Sequence, residues 1–344
     1  GPPTIEYNKF AHSNNFSKKV IYIIKNTVLN LWFANIAKFL FVLLLLSLGA
    51  SSNLSSHPWG GLVIDEQGNI YFTFICPVND DQNHYACIWK LDTQNNLVEV
   101  LKAQFSPSDL ILNRNQYRDI YAAERTGQHP DYSNTLWKIE SSNSNALISN
   151  ERNQANFHIQ TFAVVNNKDI YFSKGNKIYQ RNSENRVDEI LEDFSFERIN
   201  LMTVAPDGKL YFMAGDDIYF YKDSKIEHII SDLKINNPEA LPFSGANIFF
   251  DMAIDNNENI YLAYYGNRQI IKINSSGKKE IILTSEEPWS PHGIDVFNGE
   301  VYVLESTIGS GKWWKFWEED VDIVPRIRKI STDGKISTLY TFKN

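Results

Sequence analysis

Residues 249–283 read FFDMAIDNNENIYLAYYGNRQIIKINSSGKKEIIL, and this stretch contains the pattern that decides the fold. Four apolar runs, at 249–254, 260–264, 269–273 and 279–283, are separated by clusters of Asn, Asp, Gly and Ser. Short runs rich in isoleucine and aromatic residues, bounded by such turn formers, are typical of β-strands joined by tight turns. The stretch therefore predicts one small four-stranded sheet.

The same unit recurs along the chain, and an apolar residue followed by tyrosine marks the start of each second strand. The pairs are Ile70-Tyr71, Ile120-Tyr121, Ile170-Tyr171, Leu210-Tyr211, Ile260-Tyr261 and Val301-Tyr302. Successive tyrosines are 50, 50, 40, 50 and 41 residues apart. A period of roughly 40–50 residues with four strands per period is typical of propeller blades. The repeat predicts an all-β fold, a six-bladed β-propeller of four-stranded blades; an open β-sandwich is the alternative.

Two segments resemble known propeller families. Residues 250–277 resemble an NHL-type repeat. Residues 290–296 (SPHGIDV) together with 299–303 (GEVYV) resemble the related gluconolactonase (senescence-marker-protein) group of six-bladed propellers. The resemblance extends over most of residues 57–342 and implies the propeller fold more strongly than any activity, because these motifs are mostly strands and turns.

The gluconolactonase resemblance also implies a metal-dependent lactonase with an acidic ligand at the start of blade one and a second ligand on a Pro-Asn-Gly turn. Here the two places read HPWG at 57–60 and PHG at 291–293, so the acid is missing from the first and histidine replaces asparagine in the second. These replacements argue against a calcium lactonase. They favour instead a lyase-like or zinc-like site, or no such site at all.

Composition and charge limit the class of protein. The chain has 344 residues, 43% of them hydrophobic and 13% aromatic, which is ample for one large all-β domain. Its net charge is −8, from 33 basic and 41 acidic residues. An acidic balance without a cluster of Lys and Arg argues against a nucleic-acid partner.

The first part of the chain does not fit the repeat. Lysines at 18, 19, 25 and 38 precede the apolar run FLFVLLLLSL at 39–48, and small residues follow at 49–56. Basic residues, an apolar run and small residues form a secretory signal pattern. We predict that 1–52 is a leader with a hydrophobic helix, either a signal peptide cleaved between 49 and 52 or a signal anchor, and that 53–344 is the propeller. Both alternatives predict an extracytoplasmic protein, secreted or periplasmic, whose membrane contact is through the N-terminal segment.

The two cysteines are compatible with that location. Cys76 ends the second predicted strand of blade one, and Cys87 opens the third, so the two residues can face each other across a hairpin. An oxidising compartment permits a disulfide there. Two free buried thiols are the alternative, and two cysteines without histidines do not favour a zinc site.

The long connections between predicted strands fall on one face. Residues 77–86, 124–134 and 306–325 join second strands to third strands, while 235–247 and 284–291 join one blade to the next. Both types of connection open on the same face of a propeller, and the other turns are short. Long loops commonly carry binding or catalysis, so we expect the functional site on this loop-rich face.

Polar residues at the starts of the innermost strands, and at the ends of the second strands, are predicted to converge on the tunnel mouth at that face. The innermost-strand set is His57 or Gly60, Asp109, His158, Asn200, Asp251 and His292, and the second-strand set is Glu124 and Glu305. Of these, Asp251, Asn200, Asp109 and His158 are the candidate metal ligands, for Ca²⁺ or Mg²⁺ through oxygens or Zn²⁺ through histidine. His292, Glu305 and His57 are the candidate catalytic acids or bases. The alternative is that these groups only satisfy backbone groups and hold water.

A second candidate site is the aromatic loop GSGKWWKFWEEDVDIV at 309–324. Trp313, Trp314, Phe316 and Trp317 are candidate ligand-binding residues, because clustered aromatic side chains bind sugar rings or partner proteins. Contact with a membrane and a plug over the tunnel mouth are the alternatives.

Two functions are compatible with this sequence. The first is a binding module that holds a small molecule, carbohydrate, peptide or protein at the loop-rich face. The second is a metal-dependent hydrolase or lyase that acts at the tunnel mouth. The first is favoured, because the sequence contains no Gly-rich phosphate loop, no Gly-x-Ser-x-Gly elbow and no recognisable Ser/His/Asp spacing.

Overall fold

A computed structural model of the chain describes residues 61–76, 85–103, 108–126, 133–140, 144–148, 161–184, 186–190, 196, 198–233, 249–307 and 324–342. These residues form six antiparallel sheets of four strands each. Within these ranges no helix is long and apolar enough to cross a membrane. The predicted leader and its hydrophobic helix lie outside the described residues.

The strands follow one another in chain order, four to a blade. Blades one and two contain β1 (Leu62–Ile64), β2 (Ile70–Ile75), β3 (Ala86–Leu91), β4 (Leu97–Lys102), β5 (Ser108–Arg114), β6 (Ile120–Thr126), β7 (Ser133–Ile139) and β8 (Ser144–Ile148). Blades three and four contain β9 (Phe162–Val165), β10 (Asp169–Lys174), β11 (Lys177–Arg181), β12 (Val187–Glu189), β13 (Ile199–Val204), β14 (Leu210–Ala214), β15 (Asp217–Lys222) and β16 (Lys225–Ile230). Blades five and six contain β17 (Phe249–Ile254), β18 (Ile260–Tyr264), β19 (Gln269–Ile273), β20 (Lys279–Thr284), β21 (Ser290–Phe297), β22 (Glu300–Ser306), β23 (Pro325–Ile330) and β24 (Ile336–Thr341).

The six sheets form a closed ring. The first strand of each blade contacts the first strand of the next, and β21 contacts β1 to complete the circle. Each sheet consists of four consecutive strands, so no blade borrows a strand from the other end of the chain. The predicted six-bladed propeller is confirmed, and the open sandwich is excluded.

The hydrophobic core lies between the blades. It consists of six clusters, one at each interface between neighbouring blades. Four of the six repeat tyrosines are buried in these clusters with at most 4% of their surface exposed. Their hydroxyls reach polar turns: the hydroxyl of Tyr121 donates to Asn167 at 2.8 Å, and that of Tyr261 donates to Asp255 at 3.0 Å. The repeat therefore marks a side chain whose ring packs between blades and whose hydroxyl stays hydrogen-bonded.

Hairpin turns on one face of the ring are short and are stabilised by their own side chains. In the hairpins after β1, β5 and β17, the first turn residue is Asp65, Asn115 or Asp255. Each side-chain Oδ1 accepts a hydrogen bond from the backbone N–H four residues further on, at 2.8, 2.9 and 2.9 Å. Asp and Asn favour this conformation because their side chains substitute for a backbone acceptor.

The predicted strand bounds differ from the structure mainly in blades two and three. In blade two the sequence predicts a first strand at 109–112. β5 extends two residues further, to Arg114, because Asn113 and Arg114 are held by contacts inside the ring. β9 begins at Phe162 rather than near the predicted blade start at His158. In blade five every strand end matches the prediction to within one residue.

The cysteines are joined. Cys76 and Cys87 form a disulfide with Cα atoms 5.3 Å apart, which links the end of β2 to β3. The structure thereby decides between the two alternatives for this pair. Their sulfurs and the Glu99 carboxylate are the one three-residue group of potential metal ligands within the described ranges. Because disulfide sulfurs carry no thiolate charge, this group is not a metal site.

Candidate functional site

Three of the innermost strands contain a one-residue bulge near their start. The extra residue is Asn200 in β13, Phe250 in β17 and His292 in β21. A bulge leaves its extra residue outside the ladder and redirects the side chain. Asn200 and His292 therefore occupy equivalent places, whereas Asp251 is the equivalent of Gly293. Asp251 and His292, which the sequence analysis grouped as starts of innermost strands, therefore lie one position apart in their ladders.

His292 is a neutral, buried histidine. Only 2% of its surface is exposed, and neither ring nitrogen finds a hydrogen-bond partner among the described residues. Burial lowers the pKa of its imidazole to about 3. The ring is therefore uncharged at neutral pH, with one nitrogen as a donor and the other as an acceptor.

Asp251 ties three innermost strands together. Its Oδ2 accepts hydrogen bonds from the backbone N–H of Ile294 at 2.8 Å and of Leu62 at 3.4 Å, and its Oδ1 accepts one from Met252 at 2.9 Å. Although the residue is partly exposed, its place inside the ring removes it from bulk water, and this desolvation raises its pKa to about 7. Three N–H dipoles already point at the carboxylate, so the geometry does not suit a cation bound by Asp251.

Glu305 forms the centre of a charged cluster at the loop-rich end of blade six. It is fully buried and lies opposite Arg326 in the ladder between β22 and β23. One carboxylate oxygen accepts a hydrogen bond from the Ser285 hydroxyl, and the other accepts one from Arg326 Nε at 2.5 Å. Arg328 Nη1 lies 3.8 Å from the first oxygen. Both oxygens are engaged, so the predicted role of Glu305 as a general base is not favoured.

The rim of this cluster carries a second carboxylate. Glu286 accepts hydrogen bonds from Arg326 Nη1 at 2.6 Å and from Arg328 Nη1 at 3.4 Å. The Arg326 guanidinium lies 4.0 Å from the centre of the Trp289 ring. The hydrogen bond from Arg326 lowers the pKa of Glu286 to about 2, although the Glu286 side chain is 60% exposed. Two arginines and two glutamates thus form a cluster without net charge.

Buried polar atoms without a hydrogen-bond partner are concentrated in the same region. Among the described residues, nine such side-chain atoms belong to blades five and six, whereas the other blades contribute scattered atoms such as Thr73 Oγ1. The seven residues that carry the nine atoms are here named the blade-six polar cluster: Asn267, Gln269, Ser290, His292, Ser306, Arg326 and Arg328.

Backbone contacts show that the members of the blade-six polar cluster are neighbours. Ser290 and Ser306 are opposite each other in the ladder, next to the row that contains Glu305. The backbone N–H of Ser285 donates to Arg268 O at 2.7 Å, which brings the connection between β20 and β21 beside the turn that contains Asn267. Most of these residues lie near strand ends on the loop-rich face, and Arg328 lies in the middle of β23. Folded proteins pair nearly all buried polar atoms, so this concentration makes the region the candidate ligand-binding site.

A buried cluster of paired charges lies at the opposite end of the ring. Asp295 in β21 accepts hydrogen bonds from Arg114 Nε and Nη2 at 2.9 and 2.8 Å, and from Arg118 Nη1 at 3.2 Å. It also accepts the backbone N–H of Ile64 at 2.9 Å. Burial alone raises the pKa of Asp295, but the two guanidinium groups outweigh it and hold the pKa below its ordinary value. The sequence reasoning missed this cluster, because its members are up to 181 residues apart and no motif connects them.

Asn113 makes a further connection inside the ring. Its side-chain amide donates to Phe162 O at 2.7 Å and to Met202 O at 2.8 Å, which links β5 to β9 and β13. Innermost strands have unpaired backbone groups on their inner edge. Asn113, Asp251 and Asp295 satisfy several of these groups, and of the three only Asp251 belongs to the predicted tunnel set.

The remaining predicted site residues do not join one cluster in the part that the structure describes. Asn200 is exposed in blade four. Glu124 is 1% exposed and lies at the position of blade two that corresponds to Glu305. Asp109 lies in β5, where only its backbone is described. The residues that lie outside the described ranges are His57, Gly60, His158, Trp313, Trp314, Phe316 and Trp317.

Fold and site together define a six-bladed β-propeller with a neutral, incompletely paired polar cluster at one place on its loop-rich face. No family model and no curated protein matches the chain. Among solved structures it is similar to virginiamycin B lyase from Staphylococcus aureus, with 14% identity and a TM-score of 0.46 over 83% of this chain and 85% of that one. A streptogramin B lyase has 16% identity and a TM-score of 0.47 over 85% of each chain.

A luciferin-regenerating enzyme is also similar, with 14% identity and a TM-score of 0.45 over 74% of this chain and 86% of that one. Similarity at this level carries no argument about activity. The six-bladed fold that the resemblance implied is confirmed by the strand order itself.

Proposed function

We propose that this protein is an extracytoplasmic binding propeller that holds a small molecule, carbohydrate, peptide or protein segment against the blade-six polar cluster. The observation that carries the proposal is the concentration of buried, unpartnered polar atoms at one end of blades five and six. Each buried donor or acceptor without a partner costs about 1–3 kcal/mol. A ligand that supplies the partners recovers this free energy on binding, which makes the cluster a favourable place for a polar ligand.

The extracytoplasmic location rests on two features. The leader pattern at 1–52 is typical of export, and the Cys76–Cys87 disulfide is typical of proteins that fold in an oxidising compartment. Neither feature depends on the ligand.

A metal-dependent hydrolase or lyase is the second candidate. One observation favours it: the buried imidazole of His292 has no hydrogen-bond partner for either nitrogen among the described residues, and a neutral imidazole is the form that binds metals. Against it, Asp251 and Glu305 have their oxygens engaged by N–H and O–H donors. A metal would therefore need ligands other than Asp251 and Glu305.

Thermal melts of the full chain with a panel of compounds test the proposal. The panel contains neutral and acidic monosaccharides, short N-acetylated peptides, Ca²⁺, Zn²⁺ and EDTA. A ligand at about ten times its Kd stabilises the protein by about 1.4 kcal/mol, which raises the Tm by roughly 2–6 °C. If EDTA lowers the Tm and one metal restores it, the enzyme alternative moves ahead.

A pair of matched variants places the binding site. Ser306 Oγ and Thr73 Oγ1 are both buried and have no hydrogen-bond partner within the described ranges; one lies in the blade-six polar cluster and the other in blade one. Ser306→Ala and Thr73→Val each remove an unsatisfied hydroxyl, so neither should destabilise the fold. The proposal expects Ser306→Ala to weaken ligand binding and Thr73→Val to leave it unchanged. Equal effects from both variants, or no compound that raises the Tm, would contradict it.

A further inference from the structure

The guanidinium groups at the rim of blade six are only partly used. Arg326 donates through Nε to Glu305 and through Nη1 to Glu286, while its buried Nη2 has no partner among the described residues. Arg328 donates through Nη1 to Glu286, and its buried Nε likewise has no partner in the part of the chain that the structure describes. Arginine and a carboxylate pair most strongly when two parallel N–H groups meet two oxygens. Glu286 accepts a hydrogen bond from only one nitrogen of each arginine. It therefore pairs with both guanidinium groups without the stronger two-bond geometry.

The two glutamates differ in how firmly they are held. Glu305 is completely buried and fixed from the strand behind Arg326, with Ser285 as a second donor. The Glu286 side chain is 60% exposed and lies on the connection between β20 and β21. An exposed glutamate regains full hydration when it rotates into water, whereas a buried one does not. Glu286 is therefore the member of the cluster that a ligand can replace.

Arg326 would stay in place when Glu286 leaves, because its side chain is already held by other residues. The Trp289 ring lies 4.0 Å from the Arg326 guanidinium, and the Glu305 carboxylate holds Nε at 2.5 Å. The Arg326 side chain is only 9% exposed, so it has lost its conformational freedom before any ligand arrives. A preorganised guanidinium binds a carboxylate with a smaller entropy cost than a mobile surface arginine.

We propose that Arg326 and Arg328 form a carboxylate-recognition subsite, which Glu286 occupies in the free protein and which a carboxylate of the ligand takes over on binding. The inference rests on the proposed function and deepens it by naming the ligand class, an acidic compound with polar groups that reach the rest of the blade-six polar cluster. The exchange of one carboxylate for another leaves the charge of the cluster unchanged. Atoms such as Ser290 Oγ and Ser306 Oγ then supply partners for the neutral polar groups of the ligand.

A carboxylate can come from a uronic acid or from a peptide C-terminus, and paired probes distinguish these sources. Sodium glucuronate is compared with glucose, and N-acetylglycylglycine is compared with its amide, all at matched ionic strength. Binding to the full chain is measured by isothermal titration calorimetry. We expect the acidic member of one pair to bind at least about fivefold more tightly than its neutral counterpart, since a charge-assisted hydrogen bond is stronger than a neutral one.

Glu286→Gln is the decisive variant, because it removes the competing carboxylate. We expect it to raise the affinity for the acidic probe about three- to tenfold. Glu287→Gln is the matched control: it makes the same change of charge one residue away, where the side chain is 64% exposed and 3.6 Å from Arg268. Arg328→Lys keeps the charge but loses the planar pair of N–H groups, and we expect it to lose the preference for the acidic probe.

Each outcome bears on the inference. If neutral and acidic probes bind equally, the proposed function stands and the carboxylate subsite is refuted. If Glu287→Gln raises the affinity as much as Glu286→Gln, the effect comes from overall charge, and the subsite is refuted as well. If no probe binds even to Glu286→Gln, the subsite is rejected, and the wider compound panel then decides separately on the proposed function.

Discussion

Asp295 is predicted to be the most sensitive single position for the stability of the ring. Its carboxylate accepts hydrogen bonds from two arginines of blade two and from the backbone of β1. It therefore holds blades one, two and six together at the end of the ring opposite the loop-rich face. Asp295→Asn keeps the size of the side chain but removes the charge, so Arg114 and Arg118 lose the buried carboxylate that pairs with both.

The expected loss follows from the burial of these groups. The side chains of Asp295 and Arg114 are 3% and 4% exposed, and that of Arg118 is 18% exposed. Removal of one partner from a buried ion pair typically costs about 3–5 kcal/mol, because the remaining charge stays desolvated. Domains have only about 5–15 kcal/mol of stability in total, so the variant should unfold at a much lower denaturant concentration or fail to accumulate.

Urea unfolding, followed by tryptophan fluorescence at pH 7 and at lower pH, measures the effect. The folded-state pKa of Asp295 is depressed, so its contribution is present above the unfolded pKa of about 3.9 and is lost as the pH falls through the folded pKa. The difference between wild type and variant should therefore narrow in acid. Asp188→Asn removes an exposed pair with Arg186 and should cost less than about 1 kcal/mol. A loss at Asp295 no larger than at Asp188 would refute the reasoning.

Three further changes test other parts of the structure. Gly293→Ala places a Cβ 3.0 Å from Leu62 Cβ, so overpacking should cost about 1–3 kcal/mol in urea unfolding, and an unchanged midpoint would contradict this contact. Reduction of the Cys76–Cys87 disulfide, whose cysteines are 11 residues apart, should lower stability by about 3 kcal/mol in melts with and without reductant; equal melts would show that the bond is not formed. Asp251 has a raised folded-state pKa of about 7, so the folded protein binds this proton more tightly than the unfolded chain, and stability should fall by up to about 1.4 kcal/mol per pH unit between pH 5 and pH 7. Asp251→Asn should remove that slope, and the same slope in both proteins would assign it to other groups.

The propeller could be predicted because its signals are local and repeated. In blade five, every strand end follows from apolar runs and turn residues, and Asp255 forms the turn that its residue type favours. Where polar residues continue a strand, the pattern of apolar runs and turn residues does not predict the strand end. Asn113 and Arg114 look like the start of a turn, yet they extend β5, because partners in three other blades satisfy their side chains.

The candidate site was predictable in its location but only partly in its residues. The loop-rich face and the residues His292 and Glu305 follow from strand direction and from the end positions of strands. The partners of Glu305 do not follow, because Arg326 lies beyond a connection of eighteen residues, and only the ladder register shows that the two are opposite. The bulges at Phe250 and His292 are equally silent in the sequence, and only the ladders show that Asp251 corresponds to Gly293 and not to His292.

The two ends of the ring show different uses of buried polar groups. At the end of the ring opposite the loop-rich face, the oxygens of Asp295 are shared among two arginines and the backbone. At the loop-rich end of blade six, the Arg326–Glu305 pair is equally buried, yet Arg326 Nη2 and both nitrogens of His292 have no partner among the described residues. Such unpaired atoms do not stabilise a fold, because apolar side chains would pack there at lower cost. This difference in hydrogen bonding between two similar charged clusters is therefore the physical reason why we propose a structural role for one and ligand recognition for the other.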